Sequence, residues 1–458
     1  MTYVVEACGG ELVAGLPSAI VTRVCTDSRE AQAGDLFVAL VGDRFDAHNF
    51  SSEVAQKGAT AMVVEKTKAP TAALNCALIT VENTRLALRK LADRYRRDFT
   101  PPVVAVAGSN GKTTTKELLA AVLRQRFMTL WSEASFNNDI GVPITLLKLD
   151  RTHRAAVLEV GTNHPGELAP LVRMIAPRYG VITGIGREHL EFFGDLAGVA
   201  EEEGWLAELL PADGTLFVNG DSPELEAIVR RTKVKVVRVG FSAGNDWRAD
   251  EVKLDETGMT FEAQTANRLF IGEYRVNLLG RHQVVNALLA AAVGAELGLT
   301  RNEIQRGLAD CQPAKMRMQI HRMNNVQVLD DSYNANADSM IAALETLKDF
   351  PCAGRRVAVL GEMAELGMHS AEAHAEVGHR AADLQVDQLF TVGKMASLMG
   401  AAARASGLMK VVELGEVETA ASAVKHFVRK GDVVLVKASR AARLERVVEA
   451  LCGKQQNQ

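Results

Sequence analysis

The stretch Gly108-Ser109-Asn110-Gly111-Lys112-Thr113-Thr114-Thr115 has the residue types and spacing to hold a polyphosphate. Glycine and asparagine let a short loop turn its backbone N–H groups inward. A helix starting behind the loop adds partial positive charge, and Lys112 adds a full one. Thr113 is placed to offer a hydroxyl to Mg2+. The longer pattern G-x-x-x-x-G-K-[ST] is not met, because Val106 stands at its first glycine, so the loop is a shortened variant.

Other candidates fall at the ends of apolar runs. Glu159 closes Ala155 to Val160 (AAVLEV), where a carboxylate can hold Mg2+ near phosphates, although a capping glutamate also fits that place. His189 follows the run Tyr179 to Ile185 through Gly186-Arg187-Glu188. A lone histidine is more often structural, but one at the same sheet edge as the loop and Glu159 is a metal-ligand candidate. Asn137 and Asn138 lie in SFNNDIGVP, where neutral amides can orient an oxyanion and where a turn explains the spacing equally well.

These residues need a sheet edge to gather them. Val103 to Ala107 is continuously apolar and reads as a fully buried strand, preceded by the breaker Thr100-Pro101-Pro102. Similar runs follow at 155–160, 179–185, 214–218 and 234–239, with helical stretches such as 113–126 and 166–175 between them. Buried strands alternating with helices imply a parallel sheet covered on both faces. Residues 244–273 are more polar and predict a small antiparallel excursion, and 282–297 an alanine-rich helix. Upstream, 35–41 and 59–64 read as strands and 85–97 as a basic amphipathic helix. Beyond Cys311-Gln312-Pro313, runs at 326–329, 356–360, 388–392, 410–414 and 432–436 form a second alternating α/β unit. The tail 453–458 is polar and expected to fray.

Composition sets bounds. At about 150 residues per domain, 458 residues suggest roughly three domains. The expected boundaries are 1–99, 100–312 and 313–458, and the expected class is α/β. A net charge of -4 and 5% aromatic residues argue against a protein held to nucleic acid by bulk charge or base stacking. No run of 18 apolar residues predicts a membrane span. Met1 to Gly15 carries Glu6 and Glu11 without a basic head, so a signal peptide is not expected. Six scattered cysteines without a C-x-x-C pair fit reduced thiols in the cytoplasm.

The motifs together resemble the Mur ligase family, ATP-dependent amide-forming enzymes of peptidoglycan precursor synthesis. The supporting stretches run over nearly the whole chain: TDSR (26–29), GDLFVAL (34–40), GSNGKTTT, SFNNDIGVP, LEVGTNHPGE (158–167), GRH to Asn286, DDSYNAN (330–336) and KASR (437–440). Ser109 replaces a threonine usual in the family loop. The stretch 330–340 resembles the members that join D-alanyl-D-alanine to UDP-N-acetylmuramoyl-tripeptide. The resemblance therefore implies these two small-molecule substrates, ATP and Mg2+ as cofactors, and no nucleic-acid partner; the expected assembly is a monomer. It also implies a UDP-substrate domain, a central ATPase domain and a Rossmann-like C-terminal domain.

The resemblance implies roles as well. Lys112 and the loop residues Gly108, Ser109, Asn110, Gly111, Thr113 and Thr114 would bind the phosphates. Thr113 with Glu159 would hold one Mg2+, and Glu159 with His189 a second. Asn138 would sit near the transferred phosphoryl group, Asn286 at the adenine, Asp331 at the ribose and Arg317 at the phosphates. Ser28 and Arg29 resemble the uridine-side motif; Tyr333, Asn334 and Asn336 are candidates for the dipeptide side, although a turn at a strand end also explains them. Two departures stand out. The glycine that usually precedes the phosphate-reaching arginine is Met316, a change that bears on the hinge geometry. Many members place a lysine 14 residues beyond the histidine and carbamylate it, and Glu203 falls there. Its carboxylate is shorter by about three bonds at roughly 1.5 Å each, so it is expected to act through water or not directly. No carbamylation should then be needed. A solvated acidic helix face is the plainer reading of the same glutamates.

A folylpolyglutamate synthase is the runner-up on the same fold, separated by the DDSYNAN stretch. A nucleotide-driven switch expects partner binding without substrate turnover. A dinucleotide dehydrogenase fails because His189 occupies the third glycine position after Gly184 and Gly186.

Overall fold

The computed structural model describes residues 1–42 and 44–453; Asp43 and 454–458, most of the polar tail, lie outside the described residues. The architecture is α/β, and the described residues form three mostly parallel sheets. The chain forms two compact bodies, one of Met1–Ala105, Phe127–Thr162 and Glu167–Tyr179, the other of Val106–Arg126, Asn163–Gly166 and Gly180–Gln458.

The first sheet holds Glu11–Ala14 (β1), Arg23–Cys25 (β2), Asp35–Val38 (β3), Ala61–Glu65 (β4) and Ala77–Val81 (β5), in the order β1-β5-β4-β3-β2. β2 to β5 run parallel and β1 is antiparallel to β5. Strand alternation splits the apolar residues between two faces. Leu36, Val38, Val63 and Ile79 pack on the helix Thr84–Arg96, while Phe37, Met62, Val64 and Leu78 pack on the other side. That helix starts where the Asn83 side chain accepts from Leu86 N at 2.8 Å, an N-cap, and it buries Ala87, Leu88, Leu91 and Ala92.

The second sheet has nine strands: Val103–Ala107 (β6), Thr129–Trp131 (β7), Ala155–Glu159 (β8), Tyr179–Ile182 (β9), Thr215–Asn219 (β10), Lys235–Gly240 (β11), Trp247–Asp255 (β12), Gly258–Thr265 (β13) and Gly272–Val276 (β14). Their order is β14-β13-β12-β11-β10-β9-β6-β8-β7. β6 lies between β9 and β8, where the winding reverses. The polar segment forms the expected antiparallel excursion, β12 pairing with β13 and β13 with β14.

The third sheet contains Gln319–Met323 (β15), Val326–Asp331 (β16), Arg356–Gly361 (β17), Gln388–Val392 (β18), Val411–Leu414 (β19) and Val433–Lys437 (β20), ordered β15-β16-β20-β17-β18-β19. Helices cover both faces. Leu329, Leu360 and Leu435 pack under Ala337–Asp349 and Ser370–Asp383, while Val328, Val359 and Val436 pack under Val417–Phe427 and Glu445–Cys452.

The predicted strands and helices stand within a few residues of those observed. β1, β2, β5, β7 and β15, most of them short, are not evident from the sequence pattern. β15 (QIHRM) is polar and pairs with β16 as a hairpin whose turn is Asn324-Asn325, at φ 50 and 61. Two left-handed asparagines between strands are a hairpin signal that the sequence did contain.

Candidate active site

The phosphate loop is built by its neighbours. Gly108 has φ 110, and a Cβ there would meet Thr183 Oγ1 at 2.6 Å and Gly184 O at 2.9 Å, so only glycine fits. Gly111 has φ 85 and lies against Asn286, whose Oδ1 would be 2.8 Å from an added Cβ. Ser109 Oγ donates to Gly186 O and accepts from Gly186 N, and Thr183 Oγ1 donates to Asn110 O at 2.6 Å. The helix Lys112–Leu123 follows with Gly111 as N-cap and no capping side chain. Its first N–H groups have no intrahelical partner, the arrangement that receives phosphate oxygens.

Lys112 sits among acids. Its Nζ donates to Gly108 O at 2.5 Å, Ser109 O at 3.3 Å and Glu188 Oε2 at 3.1 Å. Glu203, on the helix Leu196–Glu203, is fully buried and accepts from Gly108 N at 2.7 Å. The sequence leaves action through water, no direct action and a solvated helix face open; the carboxylate is buried and grips the first residue of the loop. Burial pushes its pKa up, Lys112 pulls it down, and the Glu188 charge pushes it up again.

Buried oxygens without a protein partner mark where further chemistry fits. Thr113 Oγ1, Thr115 Oγ1, Glu188 Oε1 and Glu203 Oε1 have none in the second body, nor does Glu159 Oε2 in the first. Orphaned buried oxygens are rare in folded proteins. Among the described residues no three His, Cys, Asp or Glu side chains converge as a metal cage. A hard cation that keeps its waters and binds substrate phosphates needs only one or two such oxygens, and an unpartnered hydroxyl such as Thr113 Oγ1 or carboxylate such as Glu159 Oε2, each in its own body, is a donor that suits Mg2+.

His189 has φ 49, and its Nδ1 lies 2.5 Å from Glu365 Oε2. Asn286 is buried and donates to Gln283 Oε1 at 2.9 Å. Arg317 stacks on the Tyr333 ring, its guanidinium carbon 4.2 Å from the centroid. Met316 adopts φ 61, the conformation for which glycine is usual; a side chain there costs about 1–2 kcal/mol. Asp331 accepts from Met318 N at 3.1 Å and from Lys437 Nζ at 2.6 Å, and Lys437 also donates to Asn334 O at 3.0 Å. Asn336 caps the helix Ala337–Asp349, accepting from Ser339 N, and its Nδ2 donates to Asn110 Oδ1 at 3.0 Å.

In the first body, Asn137 Nδ2 donates to Glu159 Oε1 at 2.9 Å. Asn138 turns its Oδ1 toward Ile140 N and Gly141 N, at 3.2 and 2.9 Å, at the start of the helix Gly141–Leu146. The first asparagine therefore orients the carboxylate and the second makes the turn. Arg29 is exposed and pairs with Asp27, whose pKa it lowers to about 2, and Ser28 O accepts from Lys57 Nζ at 2.8 Å.

Glu188, Lys437 and Arg187 are not singled out by the sequence, although each lies inside or beside one of the motifs above. Nothing local distinguishes them; their partners are distant in the chain.

Three family models match: residues 20–96 the Mur ligase family catalytic domain, 106–294 the Mur ligase middle domain, and 316–440 the Mur ligase glutamate ligase domain. The UDP-N-acetylmuramoyl-tripeptide--D-alanyl-D-alanine ligase of Escherichia coli (strain K12) is 38% identical, over 93% of this chain and 93% of that protein. A crystal structure of MurF from Acinetobacter baumannii superposes with a TM-score of 0.90 at 32% identity, covering 99% of this chain and 98% of that one. MurF ligase from Thermotoga maritima in complex with ADP superposes at 0.83 and 29% identity, over 95% and 98% of the two chains. With a phosphate loop of this build and this likeness along almost its full length, the chain belongs to the Mur ligase family.

Proposed function

We propose that the chain joins D-alanyl-D-alanine to UDP-N-acetylmuramoyl-tripeptide, using ATP and releasing ADP and phosphate. The observation that carries this reading is the loop at Gly108–Thr115, its lysine held beside buried acids and its Thr113 hydroxyl left without a protein partner. Relatives of that activity at this identity and coverage support the substrates.

A free carboxylate is a poor electrophile. Transfer of the γ-phosphoryl group converts it to an acyl phosphate, which the dipeptide amine then attacks, expelling phosphate. The protein mainly positions groups and neutralises charge. Lys112, the loop amides of Gly108 to Thr114 and Arg317 bind the phosphates. Thr113, Glu159 and His189 hold Mg2+, which when bound offsets charge on the phosphates. Asn138 stands near the transferred group, while Asn137 fixes Glu159. Asn286 meets the adenine and Asp331 the ribose. Ser28 and Arg29 lie on the uridine side, and Tyr333, Asn334 and Asn336 on the dipeptide side.

Three domains over 1–99, 100–312 and 313–458, a monomer, and a place in the cytoplasm complete the proposal. No helix among the described residues is long and apolar enough to cross a membrane. All six cysteines are free thiols, as a reducing compartment keeps them.

The test is phosphate release with tripeptide, ATP and dipeptide, omitting each in turn. Stoichiometric phosphate and pentapeptide only in the complete mixture is the expected result; release with folate and glutamate instead would assign the folylpolyglutamate chemistry. Asn336→Ala should raise the apparent KM for the dipeptide far more than that for ATP. It should also lower stability by about 1 kcal/mol through the lost helix cap. Equal changes for both substrates would remove Asn336 from the dipeptide side.

A further inference from the structure

Arg187 is not needed by the chemistry above, yet it has some of the densest polar contacts in the second body. It follows Gly186, the residue that exchanges two hydrogen bonds with Ser109 of the phosphate loop. Its backbone N donates to Asp338 Oδ2 at 2.8 Å, and its Nε and Nη2 donate to Asp338 Oδ1 at 2.9 and 2.6 Å. Nη2 also reaches Glu376 Oε1 at 3.2 Å, and Nη1 pairs with the same carboxylate. The fork thus binds two acids from two helices of the C-terminal unit, Ala337–Asp349 and Ser370–Asp383.

The approach is close enough that a side chain at Gly186 would displace the groups gathered there. An added Cβ would lie 2.8 Å from Asp338 Oδ2 and 3.0 Å from Asn110 Nδ2. Asp338 occupies the first turn of the helix that Asn336 caps, and Asn336 itself donates to Asn110. Loop residue, Gly186-Arg187 and helix N-terminus therefore form one continuous set of contacts. A cavity of about 400 Å3 adjoins it, lined in part by Arg187, Asp195 and His369. These three already serve protein partners, Asp195 as a helix cap and His369 on Gly194 O, so the cavity does not select a ligand.

We infer that Arg187 is a positioning residue: its two-carboxylate grip sets the helix start at Asn336 against the phosphate loop, and so sets the amine substrate against the activated carboxylate. This rests on the reaction proposed above. Arg187, Asp338 and Glu376 are each between a quarter and a half exposed. Ion pairs at that exposure add little to stability, about 0–1 kcal/mol each. Asp338 also stays favourable at a helix N-terminus without its arginine. Removing Arg187 should therefore spare the fold and disturb alignment, which separates the two roles.

The experiment uses the full chain with Arg187→Ala, Arg187→Lys and Glu376→Gln. For Arg187→Ala the apparent KM for D-alanyl-D-alanine should rise about tenfold or more, while that for ATP stays within about twofold. Pentapeptide formed per phosphate released should fall below that of the unsubstituted protein, because an acyl phosphate left waiting is hydrolysed. Arg187→Lys should recover part of both, and Glu376→Gln should show a smaller defect of the same kind. Amide hydrogen exchange, read without turnover, should quicken in residues 336–340 of Arg187→Ala. Unchanged exchange, or equal KM changes for both substrates, would overturn the inference. If the unsubstituted protein makes no pentapeptide while Arg187→Ala still loosens 336–340, the substrate reading fails and the grip stands.

Discussion

Lys112→Ala should abolish measurable ADP formation, a fall in turnover of about 10²–10³-fold or more. The reason is partly the lost charge toward the phosphates. It is also that the ammonium sits 3.1 Å from Glu188 in a pair whose side chains are only 14% and 9% exposed, with Glu203 fully buried beside it. Without Lys112 these carboxylates lose their counter-ion, and an uncompensated buried charge costs about 3–5 kcal/mol. Glu203, whose pKa burial already raises, would hold its proton more tightly still, so Glu188 is the acid that chiefly loses its partner. The variant should therefore melt earlier as well as fail in ADP release. Lys112→Arg should recover stability but little activity, because a planar guanidinium is not an ammonium in a tight loop. ADP release by Lys112→Ala within tenfold of the unsubstituted protein would remove the loop from the chemistry.

Glu203→Ala is expected to have the second largest effect, about a 30-fold loss of turnover. It leaves Gly108 N without its acceptor, and an unsatisfied buried donor costs about 1–3 kcal/mol. Glu203→Gln keeps an acceptor oxygen and should lose less. Added bicarbonate should leave the unsubstituted protein unchanged, because a glutamate at position 203 has no amine to carbamylate; stimulation would refute that.

The same residue gives a pH signature. Its folded-state pKa lies above the ordinary 4.5, so the folded state holds more protons than the unfolded one between those values. The stability Glu203 contributes is full below pH 4.5 and is lost as pH rises through the raised value. Melting temperatures of the unsubstituted protein, referred to Glu203→Gln, should decline across that window. A flat difference would mean that the carboxylate does not titrate there.

Much of this protein is written locally. β6 is five consecutive apolar residues between a Pro-Pro break and a glycine at φ 110, and the loop and helix follow without interruption. A buried strand, a left-handed glycine and a helix start depend on neighbours in the chain, so their types alone determined the glycine-rich loop, the alternating α/β order and the place of Lys112 and Thr113 at the helix start. The tertiary structure alone decided what surrounds them. Glu203 meets Gly108 across 95 residues, Glu188 meets Lys112 across 76, His189 meets Glu365 across 176, and Asn336 meets Asn110 across 226. Which of two adjacent asparagines turns toward Glu159, and whether a glutamate on a helix faces water or a loop, depends on how strands and helices are stacked. Apolar periodicity reports which face of an element is buried; it does not report which distant carboxylate that burial brings beside a lysine.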